Sequence, residues 1–458
     1  MNQWRQVFFR RVLTPHLEPD LQWAWNSLQI GILTFFLLPT WGAILIVLSV
    51  LVTLKQRFWQ VIRQPINQVL AVFSGVLVVF SLGSPNPGDA FLGLCNLVPY
   101  FLVFAGLSAL IQTPNQLRQI SRLIVFSIIP ITGLGFGQGF LGWSGIESLQ
   151  MISGWILEPG GSPPGRISSV FIYANLLAAY LVVGFALSLG LLIEQIIQQI
   201  WMNSRLKRHS MLKFEPSKLP NKLSISGLGI TVIFATIGLI LTNSRNAWGL
   251  MVILAMAYGV YVGWNWLVMG VIAGVMLIFA AAFAPPFIHQ PLRLIVPGYF
   301  WQRLTDQNFE RPVEILRMTQ WKFAWGLTQA RPWTGWGLRN FTPLYEAQMN
   351  IWLGHPHNLF LMMTAEIGIP LTLVFFSLVG WILVRGVWLW LSWPKNSPDR
   401  VILFSFLIGF TSLILFNLFD VTLFDLRINT LGWLLLSAIF GVVLHFQSPT
   451  QQQSQLQP

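Results

Sequence analysis

Two histidines stand two residues apart in Gly354-His355-Pro356-His357-Asn358. Imidazole is the side chain that most readily exchanges a proton near neutral pH. Placed at a helix N-terminus beside arginines, its charged form is disfavoured, and a neutral ring is what a general base requires. Pro356 can precede or open a helix without losing a needed N–H, and Asn358 can support the first turn. The same pair could ligate a metal, or could be a structural pair at a membrane surface. No carboxylate or cysteine cluster stands beside it in the sequence to complete a metal site, so no metal and no cofactor are expected.

Arginines form the second group. Arg166 precedes a helix expected from 167, and Arg245 one expected from 246, as His357 does at 358. A cation at such an end is unfavourable by about 0.3–1 kcal/mol. The arrangement makes sense if an anion sits among the three; the alternative is arginines snorkelling to lipid headgroups. Arg293, Arg303, Arg311, Arg317, Arg331, Arg339 and Arg427 fall on the same expected side, with Lys322. Guanidinium forks match phosphate and carboxylate oxygens, so a ligand bearing one of these is expected.

Glu366 lies inside an apolar segment, nine residues beyond His357. That is about 13 Å of helix, too far for direct pairing, so a partner on another helix or a protonated carboxyl is expected. Asp420 and Asp425 read as solvated groups at the end of the last hairpin.

The elements that must carry these residues follow from composition. The 458 residues are 54% hydrophobic and 9% charged, against roughly 25% charged in soluble proteins. Lipid must solvate most of such a chain, which excludes a soluble enzyme. One cysteine, Cys95, excludes an internal disulfide. Apolar runs predict an all-α, polytopic bundle of about 12 transmembrane helices. They fall at 24–54 (a hairpin broken at Pro39-Thr40-Trp41-Gly42), 66–82, 91–111, 120–140, 167–193, 223–242, 246–263, 265–283, 358–383, 401–419 and 428–446. No signal peptide is read in residues 1–22, where Arg5, Arg10 and Arg11 stand. The net charge of +12 is concentrated in segments such as 194–222, which carries Arg205, Lys207, Arg208, Lys213, Lys218 and Lys222. It therefore points to cytoplasmic loops rather than to nucleic acid, and places both termini in the cytoplasm.

The expected order is a cytoplasmic segment 1–22, membrane helices over 23–283, a large outer segment 284–357, membrane helices over 358–446 and a disordered tail 447–458. Within the outer segment, Val313, Leu316, Trp321, Ala324, Trp325 and Leu327 predict an amphipathic helix over 313–330, ended by Pro332, Gly335 and Gly337.

Four motifs carry a resemblance. They are Arg166 followed by Tyr173-Ala174-Asn175-Leu176-Leu177-Ala178; Ser244-Arg245-Asn246; Arg317-x-x-x-Trp321 with Arg331-Pro332-Trp333-Thr334-Gly335-Trp336-Gly337; and His357-Asn358, nine residues, Gly368. Together the chain resembles the O-antigen ligase / O-antigen polymerase superfamily of bacterial membrane glycosyltransferases. It departs at Asn246, where the family has Gly, and at Leu371, where the family usually has Gly, Thr or Tyr. The resemblance implies an inner-membrane enzyme, a lipid-linked oligosaccharide donor such as undecaprenyl diphosphate glycan, and a glycan or lipid acceptor. It implies metal-independent, inverting transfer at the periplasmic face. It further implies that Arg166, Arg245 and Arg317 hold the diphosphate and His357 is the base, with Asn175, His355, Asn358, Arg339 and Glu366 in support. Relatives of the superfamily in photosynthetic bacteria have been proposed to take part in bicarbonate accumulation, so a transporter is the alternative. That reading predicts ionisable residues along a route through the bilayer and paired broken helices. A third reading is a scaffold that binds lipid-linked sugar without reaction.

Overall fold

The computed structural model describes residues 13–145, 150, 154–208, 222–305, 312–395 and 397–447. Arg5, Arg10, Arg11, Lys213, Lys218, Arg311 and the tail beyond 447 lie outside the described residues.

Helices account for the architecture, and no strand occurs among the described residues, where Gly161 and Arg166 make an isolated bridge. The helices used below are α1 (Gln22–Phe35), α2 (Pro39–Gln56), α3 (Pro65–Leu82), α4 (Pro87–Leu110), α5 (Pro114–Phe140), α6 (Ala174–Arg208), α7 (Lys222–Leu241), α8 (Arg245–Val262) and α9 (Asn265–Phe283). They continue with α10 (Pro286–Ile295), α11 (Gly298–Thr305), α12 (Arg317–Ala330), α13 (Phe341–Met349), α14 (Leu359–Ser392), α15 (Pro398–Phe416) and α16 (Leu426–Gln447).

Among the described residues 10 helices are long and apolar enough to cross a membrane, rather than about 12. The two expected spans that fall short are α1, with 14 residues, and α7, whose apolar part is Ile225–Leu241. Fourteen residues rise about 21 Å, less than the roughly 30 Å hydrocarbon core. Proline opens α2, α3, α4, α5 and α15, where its missing N–H costs nothing. The first hairpin turns just before Pro39, and α2 then crosses α1 closely. A Cβ on Gly42 would stand 2.4 Å from the Phe35 Cα, so only glycine permits that crossing.

The buried centre is α6, packed on α5, α7, α8 and α15, and α16, packed on α4 and α14. In contrast α9 turns Trp266, Met269, Met276 and Phe283 outward, as lipid contact requires.

The segment between α9 and α14 folds into α10 to α13. The expected amphipathic helix starts at Arg317, after a 3-10 turn at Val313–Ile315. Its buried stripe is Gln320, Ala324 and Thr328, at four-residue spacing, while Trp325 faces out. This stripe lies on the first part of α14, where Thr328 Oγ1 meets Thr364 Oγ1 at 3.1 Å. There α14 is broken: Gly368 has φ 78°, and Pro370 follows.

Candidate functional site

His357 sits just before α14, on a left-handed backbone with φ 51° that non-glycine residues adopt rarely. Its neighbours hold it there. Asn358 caps the helix by accepting from Leu361 N at 2.9 Å, and its amide donates to Leu418 O at 3.0 Å. Leu359 N donates to Asn417 O at 2.8 Å. The turn between α15 and α16 is thereby fastened to the start of α14.

That turn delivers Asp420, which is buried rather than solvated, as is the Asp425 side chain. Asp425 caps α16 through Arg427 N and Ile428 N, at 2.9 Å each. The Asp420 Oδ1 lies 2.9 Å from His357 Nδ1 and accepts from Val421 N at 2.9 Å. Burial alone raises this carboxyl; the bond and charge of His357, then His355 and the Val421 N–H, outweigh it and hold it at about 2. An ionised carboxylate only accepts, so the neutral His357 carries its proton on Nδ1 and presents a lone pair at Nε2.

The other carboxylate oxygen of Asp420 accepts from Asn175 Nδ2 at 2.5 Å. Asn175 is the second residue of α6, and its Oδ1 accepts from Arg166 Nη2. Arg166 Nε donates to Thr242 O at 2.7 Å. Arg166, Asn175, Asp420 and His357 therefore form one hydrogen-bonded chain. Arg166 is not at a helix N-terminus, as expected from the sequence: α6 starts at Ala174, and Arg166 lies in an irregular loop. Hydropathy continued the helix through Val170-Phe171-Ile172, but Ser168 N and Ser169 N bond Gln138 Oε1 at 2.9 and 2.8 Å instead of a helical carbonyl. Ser169 has φ 52°. Burial pulls the Arg166 guanidinium below its ordinary value, against Tyr173, Asp420 and Tyr299.

Arg245 is the first residue of α8, as expected, after Ser244. It stands between two anchors: Thr242, which holds Arg166, and Asn246, whose amide donates to Phe416 O at 2.9 Å. The backbones of 166, 242–246, 357–359 and 416–422 thus meet at one end of the bundle. Arg317 lies one turn before Trp321, whose ring is 6.3 Å from Phe419. His355 accepts from His357 N at Nδ1, 3.2 Å away. Burial lowers the His355 imidazole to about 4, with His357 and Arg317 adding to it and Asp420 opposing.

Arg339 and Glu366 belong to a different assembly. Glu366 finds its partner at the start of another helix, α13: Phe341 N donates to Oε1 at 3.4 Å, and Arg339 N also bonds the carboxylate. The Pro332–Gly337 strip docks in the break of α14: Trp336 N reaches Ala365 O at 2.9 Å, Gly337 N reaches Glu366 O at 2.8 Å and Ile369 N reaches Pro332 O at 2.8 Å. A Cβ on Gly335 would lie 2.4 Å from Glu366 C and O, which accounts for that glycine. Three further arginines face aromatic rings: Arg293 over Trp301 at 4.0 Å, Arg331 over Trp336 at 4.1 Å and Arg427 over Phe171 at 4.0 Å. The Arg303 side chain is outside the described residues.

Asp420 is the residue that sequence reasoning missed. An aspartate in a short turn between apolar helices carries no signal of its partner. It also supplies the carboxylate expected to be absent: donor atoms of His355, His357 and Asp420 all lie within 4.8 Å of one another. The types suit a metal, but the hydrogen bonding does not fit one well. His355 Nδ1 already accepts a proton from His357 N, so the neutral ring carries its own proton on Nε2, the atom 3.8 Å from Asp420.

No curated protein matches the chain. The family described as O-antigen ligase matches residues 230–376, which include Arg245, Arg317, Arg339, His357 and Glu366, and leave out Arg166, Asn175 and Asp420.

Proposed function

We propose that this chain, whose residues 230–376 belong to the O-antigen ligase family, moves a glycan from a polyprenyl-diphosphate donor to an acceptor hydroxyl at the periplasmic face of a bacterial inner membrane. The observation that carries this reading is the bonded chain from Arg166 through Asn175 and Asp420 to His357. It joins an anion-binding guanidinium to a proton-accepting imidazole through one carboxylate.

In the reaction, His357 Nε2 takes the proton of the acceptor hydroxyl as its oxygen bonds the anomeric carbon. The bond from that carbon to the diphosphate breaks on the opposite face, so the configuration inverts. Polyprenyl diphosphate leaves with its electron pair and is neutralised by Arg166, Arg245 and Arg317. Asp420 fixes the tautomer and stabilises the imidazolium; the proton passes to water. Asn358 and His355 shape the turn, while Arg339 and Glu366 hold the outer segment in the break of α14. No step requires a metal.

The test is purified protein with a polyprenyl-diphosphate glycan and candidate acceptors, reading released polyprenyl diphosphate. Asp420→Asn places an amide against His357 Nδ1 and should lower kcat about a hundredfold with KM little changed. Transfer at wild-type rate would remove the relay from the mechanism. The transporter alternative has one observation in its favour, the broken helix at Gly368 with a buried carboxylate beside it. That carboxylate is engaged by the backbone N–H groups of Arg339 and Phe341, at the start of α13. Labelled bicarbonate uptake into proteoliposomes, without release of polyprenyl diphosphate, would decide for it.

A further inference from the structure

The last three helices, α14, α15 and α16, line a half-open cavity of about 360 Å³. That is within the roughly 300–1,000 Å³ of small-molecule sites. Phe360, Phe376, Phe410, Ile414, Trp433 and Leu436 supply an apolar wall. The polar side chains at its margin are already engaged: Asn417 Nδ2 bonds Thr422 Oγ1 at 3.1 Å, Thr422 N bonds Asn417 Oδ1 at 2.8 Å and Asn429 Nδ2 bonds Leu423 O at 2.9 Å. A polar ligand would be desolvated there with little hydrogen bonding in return, so the cavity suits hydrocarbon.

Its position gives the hydrocarbon an identity. Leu359 and Leu418 line it, and the bonds Leu359 N to Asn417 O and Asn358 Nδ2 to Leu418 O are the ones that hold His357 beside Asp420. The roof of the cavity is thus the floor of the catalytic turn. A molecule filling both must be apolar at one end and anionic at the other. In a polyprenyl-diphosphate donor the diphosphate links the reacting carbon directly to the chain. In a lipid acceptor, sugars separate the reacting hydroxyl from the acyl chains.

We propose that this cavity binds the polyprenyl chain of the donor where it joins the diphosphate, so that donor chain length is read between α14, α15 and α16. The proposal rests on the glycan-transfer reading above. Gly432 offers a way to block the cavity: a Cβ there makes ordinary contact, 3.8 Å from Leu413 Cδ1, so a larger group grows into the space. Gly432→Phe should raise KM for a long-chain donor about tenfold, leave kcat unchanged and abolish the preference for long over short prenyl chains. A retained preference would overturn the proposal. A photoreactive polyprenyl diphosphate should label the α15 and α16 segments of the unsubstituted protein, whether or not the variant folds. Labelling elsewhere, or labelling displaced by an acyl lipid and not by polyprenyl diphosphate, would also overturn it. If the unsubstituted protein transfers no glycan from any donor, the glycan-transfer reading fails, while the labelling still decides what occupies the cavity.

Discussion

Helix α6 carries one polar network at its start and a second, partly exposed one further along it. At Asn175 the network is Arg166–Asn175–Asp420–His357. Nineteen residues on, about 28 Å along the helix, Glu194 meets Arg118, which also bonds Asp399 and Asn115. Arg118 Nε is 2.7 Å from Glu194, Nη2 is 2.6 Å from Asp399 and Nη1 is 2.8 Å from Asn115. Each nitrogen of that guanidinium has a protein partner, so the network closes on itself and ties α5, α6 and α15 together. The first network does not close: among the described residues nothing bonds His357 Nε2. A network whose donors all meet protein partners specifies packing, whereas one that ends on an unbonded imidazole nitrogen is a candidate for contact with a ligand.

The strongest way to break this comparison is His357→Ala. Transfer should fall about 10³- to 10⁴-fold, the scale of a general base, with the melting temperature in detergent unchanged. Equal activity in the variant would show that the open end does no chemistry.

At the second network, Arg118→Met leaves the buried Glu194 without its cation, while Asp399 keeps its contact with solvent. The substitution should cost about 3–5 kcal/mol of stability and leave kcat/KM of the folded fraction as it was. A loss of transfer with an intact fold would mean that the two networks communicate.

Acid sharpens the contrast. His355 is near 4 in the fold and about 6.5 when unfolded, so its neutral form contributes stability that is full above pH 6.5 and lost as pH falls through 4. The span is about 3 kcal/mol. A thermal-unfolding series should show that decline in the unsubstituted protein and a flatter curve for His355→Gln.

The smallest effect is expected from Asn175→Leu, which keeps both charged ends and removes the link. About tenfold in kcat/KM is expected, chiefly through KM for the diphosphate donor. No change would make Asn175 a bystander.

Much of this was legible locally. Most of the spans, the cap at Asn358 and Arg245 at the head of α8 depend on residues a few positions apart, whereas the helix starts at Pro87, Pro114 and Pro398 lie three to six residues before those expected. Arg166 was found by its type but misplaced, because an apolar run of Val170-Phe171-Ile172 has helical composition whether or not its backbone is diverted by Gln138. The glycines Gly335, Gly337 and Gly368 were visible as punctuation, yet the docking of one strip into the break of another helix was not.

The sequence by itself determined that this chain is an all-α membrane bundle, and that Arg245 and His357 stand at helix starts. Only the tertiary structure decided which of them share a site. Hydropathy and capping are read over one or two turns, whereas the bond from Asn175 to Asp420 spans 245 residues. No local pattern reports a partner that distant, because burial of a carboxylate becomes affordable only once the packed helices bring its donors to it.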